Sequence, residues 1–394
     1  MSISLPSSPA NGPQACFRIH SDAPCLHLAP ALPDWVPGNA QYTLIVPLPP
    51  HSDPLPLSIS WPPDQPGPPG FDYPHNANFS SVLHEIIFLS TDGYHWQRVE
   101  NLSPAVEQRL DLTLPPSPEP LWLSVGIPYF AFQEAALRHD LQSTPWQMEV
   151  IGHSIRGRPL YGYSRPPADP SRARGTFLLS AYQHWSEWAG PIALEALLRT
   201  PWEELPGAEE FGWAVIPVMN PDALAEGWPG DLMHNGQPHQ FPEGPNMNRA
   251  WNPPVRPETL AAAAFFTRVH NTLPALHLLD FHMGWSTPAN SGGGLTCFHP
   301  GELSPEKETR ERVFTKHYFA HVPIEPFPWV HSALERPNAA AWATRVLGCP
   351  GQTVEISRFR GFTPQGYPIP VSDAYYQSIG PATARALISF YQAS

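Results

Sequence analysis

The segment GTFLLSAYQHWSEWAGPIALEALLR, residues 175–199, decides the fold. Its first eight residues, 175–182, form a continuous apolar run of strand length, and residues 190–199 have the pattern of a helix. A buried strand that leads through a short polar connection into a helix is typical of an α/β layer built on a mostly parallel sheet. We therefore expect this part of the chain to form such a sheet.

The same alternation of strand and helix patterns runs through the rest of the second half of the chain. Strand-like runs occupy residues 212–219, 275–282 and 352–357, and helix-like patterns occupy residues 257–273, 306–319, 339–347 and 381–393. Just before the first strand, residues 146–165 have the alternation of a hairpin that turns near Gly157. These patterns predict an α/β domain over residues 146–394, with a mostly parallel or mixed central sheet flanked by helices.

The first 125 residues have a different character. They are dense in proline, of which the chain holds 54, and proline breaks helices and central strands. Short strand-like runs separated by turns, with a hairpin that turns at Asp92-Gly93, predict a small antiparallel β-sandwich over residues 1–125. Residues 126–145 predict a linker helix between the two domains.

The charge and the composition argue against several classes of partner. A formal net charge of −13, without a run of lysine or arginine, argues against nucleic-acid binding through phosphates. Residues 1–20 lack the pattern of a signal peptide, and no apolar run reaches the length of a membrane span. We expect a cytoplasmic protein with no membrane partner. Four cysteines form no metal-binding pattern; Cys16 and Cys25 can form a disulfide or remain thiols.

Three polar residues that suit zinc follow the predicted strands. His184 and Glu187 form an HxxE pair directly after residues 175–182, and His282 ends a second apolar strand. Imidazole nitrogen and carboxylate oxygen are ordinary zinc ligands, and three protein ligands leave a fourth position for water. Asp280 lies two residues before His282, on the same side of a strand, where it can orient that ligand.

Three further residues suit substrate binding and proton transfer. Glu355 lies in a late apolar strand, where a carboxylate can take a proton from an attacking water and pass it to a leaving amine. Asn248 and Arg249 stand next to each other, and a guanidinium can hold a carboxylate at two points. Taken singly, each of these residues is explained as well by an ordinary ion pair or by a hydrogen-bonded core side chain. Their combination at strand ends favours a zinc site.

The order and spacing of these residues resemble those of the zinc metallocarboxypeptidases. The turn VMNPDA at residues 218–223, the hairpin VIGHSIRGRPL at residues 150–160 and the segment leading to Glu355 add to the resemblance, which covers the chain from about residue 146. The β-domain in front is similar to that of the cytosolic carboxypeptidase branch. The resemblance implies one zinc per chain on His184, Glu187 and His282. It also implies Glu355 as the general base and acid.

The same resemblance implies a substrate and shows where the sequence departs from the family. Asn248 and Arg249 would hold the free carboxylate of a peptide or an amino-acid conjugate. The family has an arginine in the preceding loop that stabilises the oxyanion, but residues 221–245 contain no arginine or lysine. Gln237, His234 and His239 are the donors that this loop offers.

Two further departures concern the surroundings of the site. The mobile tyrosine of the family is missing from residues 328–343, where His331 or Arg336 can stand in. Asn246 occupies the position of an aspartate. The specificity position falls near Ala340, which is small and neutral, and Arg336 or Arg345 can complete the pocket for an acidic side chain.

These departures leave three functions open. The first is a carboxypeptidase that hydrolyses a C-terminal amide bond. The second is a zinc amidase or deacylase on the same scaffold, acting on a non-standard amide, and the third is a ligand-binding module with impaired catalysis. The retained Glu355 argues against the third function, because a binding module needs no general base.

Overall fold

The computed structural model describes residues 17–20, 26–30, 45–60, 87–100, 102, 109–184, 187–226, 246–283, 295–298, 303–322, 337–357, 359–362 and 368–393. Cys16 and Cys25 lie outside these ranges. Cys297 and Cys349 lie within them and are buried free thiols.

A seven-stranded sheet forms the centre of the second half of the chain. In spatial order its strands are β14 (Leu295–Phe298), β15 (Gly351–Ile356), β13 (Ala275–His282), β11 (Gly175–Ala181), β12 (Phe211–Ile216), β10 (Pro159–Arg165) and β9 (Gln147–His153). The four strands β15, β13, β11 and β12 run parallel, whereas β14, β10 and β9 pair antiparallel at the two edges. The predicted α/β class with a mixed central sheet is therefore confirmed.

Helices cover both faces of this sheet. They are α1 (Ala131–Asp140), α2 (Ala189–Arg199), α3 (Pro221–Glu226), α4 (Pro257–Thr272), α5 (Pro305–His321), α6 (Ala339–Trp342, continued by a π-turn over Ala343–Leu347) and α7 (Asp373–Ala393). Alternate residues of each strand enter opposite cores, as the two-residue period of a strand requires. Leu179 and Phe281 pack on the face of α2 and α7, while Leu178 and Leu278 pack on the face of α4 and α6. None of the helices in the described part of the chain is both long enough and apolar enough for a membrane span.

Helix α7 begins eight residues before the predicted start at Pro381. The proline lies inside the helix, although it cannot donate the usual backbone hydrogen bond. The preceding turns bury Tyr376 and Ile379, and Gly380 lies against the backbone of α2, where a Cβ atom would come within 1.9 Å of the Ala193 oxygen. Tertiary packing therefore outweighs the local preference for ending the helix.

The N-terminal part forms two four-stranded sheets. One has the order β1 (Phe17–His20), β2 (Leu26–Pro30), β4 (Leu55–Ser60), β7 (Arg109–Leu114), and the other has the order β3 (Ile45–Leu48), β8 (Leu121–Val125), β5 (Ile87–Ser90), β6 (Gln97–Arg98). Strands β2 and β4 pair parallel, and the other pairs are antiparallel. The predicted turn at Asp92-Gly93 connects β5 to β6, and Gly93 has a φ of 75°, which favours glycine. The antiparallel N-terminal sheets are thus confirmed, with one parallel pair that the sequence patterns did not indicate.

The buried apolar residues of these two sheets join a cluster that also includes the α2 and α7 face of the large sheet. Helix α1 links the two parts of the chain, and the guanidinium of Arg138 lies 4.4 Å from the centre of the Tyr161 ring in β10. The division into 1–125, 126–145 and 146–394 remains a prediction.

Hydrogen bonds join the hairpin of β9 and β10 to the turn that follows β12. The carboxylate of Asp222 accepts hydrogen bonds from Ser154 Oγ and from Arg158 Nη1, both at 2.7 Å. Its second oxygen accepts from the Arg156 backbone N–H at 3.2 Å. In the same turn, Asn220 N–H donates to the Tyr182 carbonyl at 3.0 Å. The motif at residues 150–160 is therefore structural, because it fixes the turn that supports the end of β11.

A buried carboxylate lies between α5 and the sheet, away from the strand ends. Glu311 is 2% exposed, and its Oε2 accepts a hydrogen bond from Gln352 Nε2 at 2.6 Å. The same oxygen lies 3.8 Å from His277 Nε2, which has no hydrogen-bond partner within the described residues. Burial raises the pKa of Glu311 to about 7, although Gln352 and Arg310 oppose this effect.

This raised pKa predicts how stability depends on pH. Between the ordinary pKa of 4.5 and about 7, the unfolded chain loses the proton while the folded chain keeps it, so folding is disfavoured as pH rises through this window. Glutamine has no proton to lose, so we expect the stability of Glu311→Gln not to fall over this pH range. At pH 8 the variant should be more stable than wild type by up to about 3 kcal/mol. Urea denaturation of both proteins at pH 5 and pH 8 measures the difference. Glu119→Gln, an exposed substitution, is the control, and an equal pH response of Glu311→Gln and wild type would contradict the prediction.

Candidate metal centre

The site lies at the carboxyl ends of β11, β13 and β15, where ligands collect in parallel sheets. Strand β11 ends at Ala181, and the following turn carries His184 and Glu187 before α2 begins. In this turn Tyr182 has a φ of 59°, a conformation in which no other non-glycine residue of the described ranges is found. The Met219 N–H donates a hydrogen bond to the Ala181 carbonyl at 2.9 Å. The start of the turn is therefore fixed by the segment that follows β12.

The three predicted ligands come together. His184 Nδ1 lies 3.0 Å from Glu187 Oε1, and His282 Nδ1 lies 2.8 Å from Glu187 Oε2. One ligand atom from each residue can be chosen so that all three lie within 4.8 Å of one another. With zinc–ligand lengths of about 2.0–2.1 Å, the ligand atoms of a tetrahedral zinc lie roughly 3.3 Å apart. The donor types suit zinc, and the two contacts of Glu187 with the histidines, at 3.0 and 2.8 Å, are close to this spacing.

Each histidine turns its second nitrogen away from Glu187 towards a fixed oxygen. His282 Nε2 lies 2.8 Å from Asp280 Oδ2, and His184 Nε2 lies 3.1 Å from Asn246 Oδ1. When Nε2 carries the proton and donates it to these oxygens, Nδ1 is left with the lone pair that a metal needs. The predicted orienting role of Asp280 thus has a matching contact, and Asn246 makes the corresponding contact to the other histidine.

The electrostatics of the site favour positive charge at its centre. Burial alone would raise the pKa of Glu187, but His184 and His282 lower it to about 2. Burial alone would lower the pKa of His282, but the charges of Asp280 and Glu187 raise it well above its usual value. A site that stabilises a proton between carboxylates is suited to a divalent cation in its place.

Glu355 lies beside this cluster on β15. It is the register partner of His282 on the adjacent parallel strand, about 4.8 Å away at the backbone. Burial raises its pKa to about 7, and the charge of Glu187 adds to the effect while the histidines oppose it. The structure therefore brings the predicted proton carrier next to the predicted metal ligands.

Asn248 and Arg249 lie on a single 3-10 turn, Met247–Arg249, that follows Asn246. The side chain of Asn248 is buried, and its Oδ1 has no hydrogen-bond partner within the described ranges. Arg249 Nη1 donates to the Asn248 carbonyl at 2.8 Å. Asn248 and Arg249 therefore lie two and three residues after Asn246, which contacts His184 of the metal cluster.

Several predicted contributors lie outside the described residues. They are Gln237 and Arg336, together with His234, His239 and His331. Among the described residues, Ala340 is buried in α6, whereas Arg345 is exposed. Ala340 and the roles of Gln237 and Arg336 remain predictions.

The sequence patterns did not identify two polar residues that support Asp280. Ser180 Oγ donates to Asp280 Oδ1 at 2.7 Å, and Gln183 Nε2 donates to Asp280 Oδ2 at 2.5 Å. Ser180 is a polar residue within an apolar strand, and Gln183 directly precedes His184. A polar residue within or next to an apolar stretch is the sequence feature that could have indicated a role for both. Their partner Asp280 is about 100 residues away in the chain, and no local pattern indicates that distance.

Comparison with known proteins gives a family match for part of the chain and similar folds among solved structures. Residues 135–267 match the model of the zinc carboxypeptidase family. A metallo-carboxypeptidase from Burkholderia cenocepacia is similar in structure, with a TM-score of 0.72, 15% identity and 98% of both chains covered. Another from Pseudomonas aeruginosa, solved with (2-guanidinoethylmercapto)succinic acid, has a TM-score of 0.72 and 18% identity, with 96% of this chain and 97% of that chain covered. At these identities the structures show the shared fold, which includes the N-terminal sheets.

Proposed function

We propose that this chain, a zinc-dependent hydrolase of the metallocarboxypeptidase type, removes the C-terminal residue of a peptide or of an amino-acid conjugate with a free carboxylate. The observation that carries the proposal is the position of Asn248 and Arg249. They come two and three residues after Asn246, whose Oδ1 lies 3.1 Å from Nε2 of the predicted metal ligand His184. A carboxylate held by this pair would therefore place the neighbouring amide bond close to the metal cluster.

His184, Glu187 and His282 would hold the zinc through two nitrogens and one carboxylate. When bound, zinc supplies Lewis-acid polarisation of the scissile carbonyl and activation of a water. Asp280 and Asn246 keep the two imidazole rings oriented, and the burial of Asp280 protects this contact from solvent.

Glu355 would take the proton of the attacking water and deliver it to the departing amine. A carboxylate with a pKa of about 7 is a better proton donor near neutral pH than an ordinary glutamate and can also serve as the base. Its position on the strand next to His282 supports this role.

Arg249 would form charge-assisted hydrogen bonds with the substrate carboxylate, and Asn248 would add a neutral contact. We expect Arg249→Ala to lower kcat/KM for a free-acid peptide by about 30-fold, because a hydrogen bond to a charged group contributes about 1.5–3 kcal/mol. Peptides with an amidated C-terminus should be poor substrates for wild type and should show little further loss in the variant.

The matched control for this experiment is Arg268→Ala. Arg268 is an exposed arginine of α4 that pairs with Glu149 at 2.6 Å, away from the strand ends that carry the site. Equal kcat/KM values for wild type and Arg249→Ala on free-acid peptides would remove the carboxypeptidase proposal.

A second candidate is a zinc amidase or deacylase. It is favoured by the absence of arginine and lysine from residues 221–245, where the family has its oxyanion arginine. Rates on N-acyl amino acids and on C-terminal peptides would separate the two enzymes. A protein that binds zinc and retains a ligand but hydrolyses neither set would be the binding module. The cytoplasmic location, the absence of nucleic-acid and membrane partners, and the likeness to the cytosolic carboxypeptidase branch remain predictions.

A further inference from the structure

The short segment that carries Asn248 and Arg249 is hydrogen-bonded to the metal cluster directly at one end and through two other residues at the other end. We call residues 246–251 the anchor segment. It consists of the 3-10 turn Met247–Arg249 with Asn246 before it and Trp251 two residues after it. Both Asn246 and Trp251 are buried, at 4% and 0% exposure.

At its first end the anchor segment contacts His184 directly. The contact is between Asn246 Oδ1 and His184 Nε2, at 3.1 Å. When Nδ1 binds a metal, Nε2 is the proton-bearing nitrogen, and the Asn246 Oδ1 atom then accepts its hydrogen bond. This acceptor is a neutral amide, whereas His282 faces the carboxylate of Asp280.

At its other end the anchor segment reaches His282 through three hydrogen bonds in series. Trp251 Nε1 donates to Gln183 Oε1 at 2.9 Å, and Gln183 Nε2 donates to Asp280 Oδ2 at 2.5 Å. The same Asp280 oxygen lies 2.8 Å from His282 Nε2. Exposure along this series is 1% or less, so water does not compete for any of its atoms.

The orientation of Gln183 follows from its two partners. An indole N–H can only donate and a carboxylate can only accept, so the Gln183 amide has one orientation that satisfies both. Its backbone is held as well, because Asn220 Nδ2 donates to the Gln183 carbonyl at 3.2 Å. Gln183 is therefore a rigid connection between the anchor segment and Asp280.

We infer that Asn246 and Trp251 are positioning residues through which the anchor segment orients both metal histidines. The inference rests on the proposed function, since it concerns the zinc site and the carboxylate-binding pair. Asn246 acts on His184, and Trp251 acts on His282 through Gln183 and Asp280. The segment that would hold the substrate carboxylate thus also sets the geometry of the metal ligands.

The test compares two tryptophan variants with opposite expectations. Trp251→Phe removes the indole N–H that donates to Gln183, and Trp213→Phe removes an indole N–H that has no partner in the described part of the chain. Both tryptophans are buried to 1% exposure or less, so both variants lose a similar amount of packing. We expect Trp251→Phe to weaken zinc binding by about 10-fold in a chelator competition assay, with kcat lowered and KM little changed. Trp213→Phe should keep the zinc affinity of wild type.

The contact of Asn246 with His184 is tested by a variant that removes it and a second variant that restores it. Asn246→Ala should weaken zinc binding by about 10-fold or more, and Asn246→Asp should restore it, because a carboxylate can also accept from His184 Nε2. Equal zinc affinities for Trp251→Phe and Trp213→Phe, or for Asn246→Ala and wild type, would overturn the inference while leaving the proposed function standing. A wild-type protein that binds no zinc would overturn both.

Discussion

Replacement of His282 by alanine is expected to remove zinc from the protein. His282 would supply one of the two nitrogen ligands, and its Nδ1 lies 2.8 Å from Oε2 of the third proposed ligand, Glu187. Loss of a residue that only orients a ligand already weakens metal binding by about 10–100-fold, so loss of the ligand itself should exceed 100-fold. Elemental analysis and chelator competition of purified wild type and His282→Ala measure this effect. About one zinc per chain is expected for wild type alone.

The control for this experiment is His139→Ala, since His139 is an exposed histidine of α1. It should retain zinc at the wild-type stoichiometry. A stoichiometric, tightly held zinc in His282→Ala would show that the metal is bound elsewhere, and the mechanism proposed above would then be wrong.

Replacement of Glu355 by glutamine is expected to slow hydrolysis strongly while leaving zinc in place. Glutamine has nearly the same shape as glutamate but cannot carry a proton from the attacking water to the leaving amine. We expect kcat to fall by about 10²–10⁴-fold, the usual contribution of general acid–base catalysis, with zinc content unchanged. Single-turnover hydrolysis of a free-acid peptide, together with metal analysis, separates the two readouts.

Glu311→Gln provides the matched control for Glu355→Gln. It changes another buried glutamate whose pKa burial raises to about 7, but Glu311 contacts Gln352 rather than the metal cluster. The control should retain activity. Full activity of Glu355→Gln would exclude this residue as the general base and would leave the source of proton transfer to be found among other groups.

Much of the architecture could be predicted from local patterns. The largely apolar runs at residues 175–182 and 275–282 indicate buried parallel strands, because strands covered on both faces are apolar at most positions. The start of α7 could not be predicted in this way. Pro381 indicates a helix start, but the burial of Tyr376 and Ile379 and the close approach of Gly380 to α2 extend the helix towards the N-terminus.

The candidate site, like the fold, could be predicted only in part from the sequence. A zinc site was predicted from His184, Glu187 and His282 together with Glu355 and Arg249, because their combination and order favour it over ordinary ion pairs or core side chains. Gln237 and Arg336 were proposed by position alone and remain predictions. Gln183 and Trp251 were not predicted at all, because their connection spans 68 residues of sequence.

Residue type and local spacing were enough to locate most of the strands and helices of the second half of the chain and to select side chains that suit a metal, because both depend on short-range patterns. The tertiary structure was needed to show which nitrogen of each histidine faces Glu187 and that Asn246 Oδ1 lies next to His184 Nε2. The contact between Asp280 and His282 was expected from their spacing along a strand. The tertiary structure supplied its distance of 2.8 Å. It also decided that the pKa of Glu355 lies near 7. The physical reason is that hydrogen-bond geometry and desolvation depend on neighbours brought together by packing, which sequence spacing does not encode.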